Sequence, residues 1–344
     1  MPPLRPREKR RQTVNWPLVP VVDNAGSIVI RRPQRPPLAL SDHIGRLGSW
    51  PLRLAWLVVP LTTGAVLEEA AAPRSAAVTW SVAGLAWGAW ALGLLAAFVA
   101  HPLALSTLRL VAPSVVGVAL GSTIVAQPSA GRAAAGLVTA VVAAGLALDP
   151  ALGDRCVDGA SYGSERRLAL RVPTSLLWGP LPLAWLGTVL GLSGGPLLLA
   201  ARQWVLGGMA TVVGGAVAAV ALRAVHGLSG RMIVLVPAGL VLHDRAALTD
   251  PVLFTRDTIA FVGPALAGDA DQAADLTLGA TGLALELRLT RPLPLPLRRG
   301  RKRAGTATQH ATQDPTETVS AVLFSPLRPG HLLSQAQAHG LPVA

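Results

Sequence analysis

The sequence predicts an α-helical membrane bundle of about six transmembrane helices, followed by a small mainly-β cytoplasmic domain with a C-terminal helix. Three observations carry this. Six apolar stretches are separated by short polar turns. The chain is 51% hydrophobic and only 14% charged, whereas soluble domains average about 25% charged. Beyond residue 228 the apolar period changes from helical to strand-like.

The arm, residues 1–50, is basic and rich in proline. Residues 1–38 read as mostly flexible because proline disfavours helix, and the arm lacks the apolar core of an export signal. One local exception is Val19–Val22 and Ile28–Arg32, which flank an Asn/Gly turn and predict a hairpin. Leu40, Ile44, Leu47 and Trp50 then recur at helical spacing and predict a short interfacial helix.

The bundle, residues 51–228, divides into spans at 52–68, 77–100, 107–126, 132–149, 173–193 and 197–222. Arg53 and Arg109 stand at the edges of their spans, where a long basic side chain reaches the headgroups. Arginine counts set the orientation. The chain through Arg53 holds ten basic and three acidic residues, a net of +7. An excess of arginine marks the cytoplasmic side, so both termini are expected there, in a bacterial plasma membrane. Pro60, Pro113, Pro180 and Pro182 are expected to bend their helices. Glycine pairs Gly84/Gly88, Gly117/Gly121 and Gly187/Gly191 suit close helix packing, within one bundle or between copies.

The tail, residues 229–344, contains none of the nine tryptophans and is nearly neutral, with eleven basic and nine acidic residues from 231 onward. Met232–Val236 and Gly239–His243 flank Pro237-Ala238 as a hairpin. Thr258–Val262, Asp275–Leu278, the alternating Leu283–Leu289 and Val319–Phe324 are further strands. After Pro329-Gly330, Leu332, Leu333 and Ala336 give a short helix that ends near Gly340.

Two clusters of side chains are candidate contact sites. The loop Asp149–Arg171 carries Asp154, Arg155, Cys156, Asp158, Ser161, Tyr162, Glu165, Arg166, Arg167 and Arg171. It suits a seat for the C-terminal domain or a hold on an anionic headgroup. The competing reading is a solvated loop whose arginines fix topology. The run Arg298, Arg299, Arg301, Lys302 and Arg303, with a polar stretch after it, suits the anionic inner leaflet or a solvated loop.

The net charge of +12 first suggests nucleic acid. No aromatic side chains are interleaved to stack bases, so that partner is not expected. Cys156 is the only cysteine, which excludes an intrachain disulfide. It is either a reactive thiol beside Arg155 or a lone small residue. The histidines show no metal spacing, no catalytic set stands out, and no strongly ionisable residue is expected near mid-span. The chain is therefore not read as an enzyme, and no cofactor or metal is expected.

The run Val234–Asp244, then Asp250–Phe254, Ser325–Gly330 and Ser161–Arg167, resembles uncharacterised actinobacterial multi-pass membrane proteins. That resemblance implies no activity. The order of strands with a closing helix is similar to bacterial pleckstrin-homology-like domains, which implies binding of a protein or a lipid headgroup. The expectation is a non-enzymatic adaptor or scaffold whose tail (229–344) binds a protein partner or anionic lipid. Homo-oligomerisation is left open. The alternative is a permease or channel-like protein for an uncharged or lipidic solute.

Overall fold

The structure is a computed structural model and describes residues 19–22, 28–31, 48–265, 273–298 and 316–343. The chain divides into two units, Met1–Arg46 and Leu47–Ala344. In the first, β1 (Val19–Val22) pairs antiparallel with β2 (Ile28–Arg31), as the turn residues between them predict. The interfacial helix expected before Trp50 lies outside the described residues, except for positions 48–50.

Among the described residues of the second unit, six helical segments are long and apolar enough to cross a membrane: Trp50–Ala71, Ala76–Phe98, Pro102–Ala126, Ala130–Ala147, Thr174–Ala200 and Trp204–Ser229. We call the first four α1 to α4. A short helix, α5 (Pro150–Asp158), follows them. The fifth segment comprises α6 (Thr174–Leu177) and α7 (Pro180–Ala200), and the sixth is α8 (Trp204–Ser229). Their outer faces leave large apolar side chains bare, among them Leu61, Trp80, Ile124, Val205 and Val212, each more than 70% exposed. Such a surface is untenable in water over this area and suits hydrocarbon.

Proline acts in three ways here. Pro60 cannot donate to the preceding turn, and α1 absorbs the missing bond as a π-helical turn, Pro60–Gly64. Pro113 stays inside α3. Pro180 bends nothing, because it starts α7 at a position where no donor is needed.

Two span boundaries differ from the sequence reading. Span three begins at Pro102, not near 107. The His101 ring accepts from the Leu103 N–H and caps the helix. The extra turn carries Arg109 about 10 Å into the helix. Span five does not stop at Gly194-Gly195-Pro196 but continues to Ala200. The break falls at Ala201–Gln203, with Arg202 in the left-handed region (φ 61°). Arg202 and Gln203 thus form the turn and are not inside span six.

The glycines explain why α7 and α8 pack tightly. A Cβ on Gly191 would overlap the Gly214 carbonyl, and one on Gly195 would overlap Thr211. By contrast, Gly84, Gly88, Gly117 and Gly121 have open space where a Cβ would stand. Close backbone approach of this kind is how small residues join helices in a membrane.

The C-terminal region contains two four-stranded sheets. The first has the order β3-β4-β5-β6, all antiparallel, and the second β7-β9-β10-β8. Their strands are β3 (Arg166–Ala169), β4 (Met232–Val236), β5 (Gly239–His243), β6 (Val252–Thr255), β7 (Ile259–Pro264), β8 (Ala273–Asp275), β9 (Leu285–Pro296) and β10 (Thr316–Phe324). Helix α9 (Pro329–Ala338) closes them, burying Leu332 and Ala336. The first sheet therefore starts outside the segment 229–344. Its edge strand β3 comes from the connection between the fourth and fifth membrane-length helices.

Strand β9 runs seven residues past the expected Leu289, through Pro292, Pro294 and Pro296. Prolines spaced by two present their missing donors to one edge. Strand β7 pairs β9 only as far as Leu289. The second edge of β9 is therefore released from that pairing where the prolines begin, while β10 pairs the other edge out to Pro296.

Replacing Gly191 by leucine is expected to separate α7 from α8 and lower the yield of monodisperse protein in detergent. Gly84→Leu is expected to leave the yield unchanged. Size-exclusion profiles of the two variants check this.

Candidate site at the junction of bundle and domain

Strand β3 is where the two halves of the second unit meet. Side chains alternate along a strand, and here the alternation serves two cores. Leu168 and Leu170 join the core of the C-terminal domain with Ile233, Leu235 and Phe254. Ala169, between them, joins the core of the bundle with Trp56, Leu105 and Leu108. Each buried leucine contributes roughly 1.5–3 kcal/mol.

One edge of β3 pairs with β4, with Leu168 opposite Ile233. The other edge faces helix α5. The Arg167 N–H donates to Asp158 (2.9 Å) and the Ala169 N–H to Asp154 (3.2 Å). The spacing makes this fit. One turn of helix from 154 to 158 rises about 6 Å, close to the roughly 6.6 Å of two strand residues. Two carboxylates thus satisfy an edge that would otherwise expose its donors. The α5 helix starts on Pro150, with Asp149 accepting from the Ala151 N–H.

Beyond β3 the chain is clamped. Arg171 donates from Nε to the Pro326 carbonyl (3.1 Å), from Nη1 to Thr281 (3.2 Å) and from Nη2 to Leu327 (3.4 Å). Its own N–H reaches the Ser325 carbonyl (2.9 Å). The Arg171 carbonyl accepts from Arg231 Nη1 (2.7 Å). Arg231 in turn makes a two-bond pair with Asp244, Nε to Oδ1 at 2.9 Å and Nη2 to Oδ2 at 2.8 Å, both residues almost wholly buried. Thr174 accepts from the Thr281 N–H and donates to the Gly279 carbonyl.

A cavity of about 390 Å³ lies against this clamp. Helix α3 supplies Leu105, Ser106, Arg109, Leu110 and Pro113. Helices α7 and α8 supply Leu181, Trp185, Thr188, Leu222, Val225 and Ser229. Ala169, Leu170, Arg171 and Arg231 complete the end nearest the sheets. Trp185 Nε1 donates to the Leu110 carbonyl (3.0 Å) and ties α7 to α3 just before Pro113. Three arginines line the cavity and, among its described lining residues, no aspartate or glutamate does.

The expected loop residues divide. Arg171 reaches the cavity. Arg167 pairs with Glu165 at the start of β3, both half-buried. Arg155 stands in the last turn of α5. Tyr162 is 80% exposed and Arg166 is exposed. The segment is thus a helix and a strand, and not an irregular loop. Arg298, two residues beyond β9, donates from Nη1 to the Arg245 carbonyl (2.6 Å). Arg299, Arg301, Lys302 and Arg303 lie outside the described residues. Cys156 is buried in α5 and burial pushes its thiol up, the opposite of a reactive cysteine. Among the described residues, no group of His, Cys, Asp and Glu is placed to hold a metal.

The candidate residues did not include Arg109, Arg231 or Asp244, and Asp154 entered only as one of the mixed charges of the loop. Asp154 Oδ2 and Arg109 Nε are buried without a hydrogen-bond partner. Burial pushes the Asp154 carboxyl up to about 6, against the lowering effect of the Ala169 N–H and of Arg328. No protein-family model, curated protein or solved structure matches the chain.

Two predictions follow from this geometry. Asp244→Ala is expected to destabilise the domain by about 3–5 kcal/mol, since it strands a buried guanidinium; thermal unfolding in detergent checks it. For Asp154, the folded carboxyl holds its proton to a higher pH than the unfolded one. Its contribution therefore weakens stability as pH rises from about 4 to about 6, reaching roughly 3 kcal/mol above that window. His243 and His331, both lowered by burial, act the other way. The difference in melting temperature between Asp154→Asn and the parent isolates Asp154. It is expected to favour the variant at pH 7.5 and to vanish or reverse near pH 4.

Proposed function

We propose that this protein is a non-enzymatic adaptor of a bacterial plasma membrane, with both ends of the chain in the cytoplasm. Its six helices anchor it, and its C-terminal domain, read as similar to pleckstrin-homology-like folds, is a platform for a protein partner. The observation that supports this best is the construction of the platform. Strand β3 belongs to the domain's first sheet yet is held by α5 and the bundle core. A domain joined by a flexible tether needs no such strand, whereas a platform that must present one face at a set angle to the membrane does. The arginine bias of the arm and inner loops supports the orientation.

The rival is a permease for an uncharged or lipidic solute. It draws on the cavity between α3, α7 and α8 and on the proline-altered helices.

Tagged full-length protein crosslinked in its native membrane is expected to bring down a near-stoichiometric protein, which a chain ending at Gly230 loses while remaining membrane-inserted. Equal recovery of that protein with the shortened chain would sink the adaptor reading. Flux into vesicles reconstituted with the full chain would favour the rival.

A further inference from the structure

The junction cavity has two unlike ends. Toward the helices its lining is apolar: Leu105, Leu110, Leu181 and Val225. Leu148, Leu177 and Leu222 also line it and remain 52%, 41% and 38% exposed. It therefore opens through an apolar rim on the bundle's outer surface, the surface that suits hydrocarbon. Toward the sheets, the lining is cationic.

The charges at that end are unequally matched. Arg231 is neutralised by Asp244 through two hydrogen bonds. The Arg171 guanidinium spends three of its five donors on backbone carbonyls, and among the described residues no carboxylate pairs with it. Arg109 Nε is buried with no acceptor among the described residues. Asp154 attracts Arg109 electrostatically but is not among the cavity's lining residues. A buried arginine donor without an acceptor is costly. Here it stands about 10 Å inside a membrane-length helix, beside a cavity large enough for a small ligand. An incoming anion would supply the acceptor.

We infer that this cavity binds an anionic phospholipid that enters sideways from the bilayer. Its phosphate sits against Arg109 and Arg171, and the start of its acyl chains lies along α3 and α7. Charge complementarity selects the headgroup, and the apolar rim selects a membrane ligand over a soluble one. The site does not depend on the protein partner proposed above.

The test uses the full chain, purified in a neutral detergent and delipidated. Phosphatidylglycerol, phosphatidylcholine and inorganic phosphate are titrated separately, with native mass spectrometry and thermal shift as readouts. One phosphatidylglycerol is expected to bind with a clear rise in melting temperature, at least tenfold more tightly than phosphatidylcholine. Arg109→Gln is expected to weaken the phosphatidylglycerol binding about tenfold or more, the worth of a charged hydrogen bond. Leu222→Trp, which narrows the rim and leaves every charge in place, is expected to weaken it as well. If Arg109→Gln does not fold, Leu222→Trp decides the question. Equal binding of both lipids, or binding unaffected by the folded variants, overturns the site. Stabilisation by inorganic phosphate equal to that by phosphatidylglycerol overturns the lipid as its ligand. Loss of lipid binding with partner recovery intact would separate this inference from the adaptor reading.

Discussion

Ala169 points into the bundle while Leu168 and Leu170, on either side of it, point into the C-terminal domain. A strand with one face in each of two cores cannot shift by one residue without exchanging them. Every other contact at the junction presumes that register. The edge donors of Arg167 and Ala169 meet Asp158 and Asp154 only if β3 stands where it does. Arg171 reaches the carbonyls of Pro326 and Leu327 only if the strand ends where it does. The domain is thereby a continuation of the membrane part and not an appendage to it.

The junction also concentrates the molecule's electrostatic cost. The Arg231–Asp244 pair is satisfied on every side, and a fully bonded buried pair is tolerated where a broken one is not. Asp154 and Arg109 are different. Each has a buried atom without a partner, and both lie near the cavity between α3, α7 and α8. Costs left uncompensated in a fold tend to gather where something else binds. Among the described residues they gather where apolar helix surface and the domain's polar backbone meet.

The sequence showed the membrane helices because apolar runs of this length have few other uses. It showed five of the C-terminal strands and the closing helix because the period-2 pattern and the turn residues at Pro237 and Pro329 are local signals, but it set β8 at Asp275–Leu278, where only Asp275 belongs to the strand. It misjudged the end of span five, where Gly194-Gly195-Pro196 reads as a break. Proline and glycine inside a membrane helix are tolerated when a neighbour packs closely, and α8 does so at Thr211. It also stopped β9 too early, since proline in a strand is acceptable wherever one edge is released from pairing.

The sequence by itself determined the class of the protein: six membrane-length helices, then a strand-rich domain with a helix at its end. Composition and periodicity suffice for this because they are properties of neighbouring residues. Only the tertiary structure decided that residues 166–169 belong to the C-terminal sheet. A four-residue strand some sixty positions from its partner carries no periodic signal of its own. The same holds for the site. Arg109, Arg171 and Arg231 stand far apart in the chain, on a helix, after a strand and before a strand. They form one cationic wall because α5 and β3 fold back against the bundle, and that packing depends on long-range contacts that no local pattern encodes.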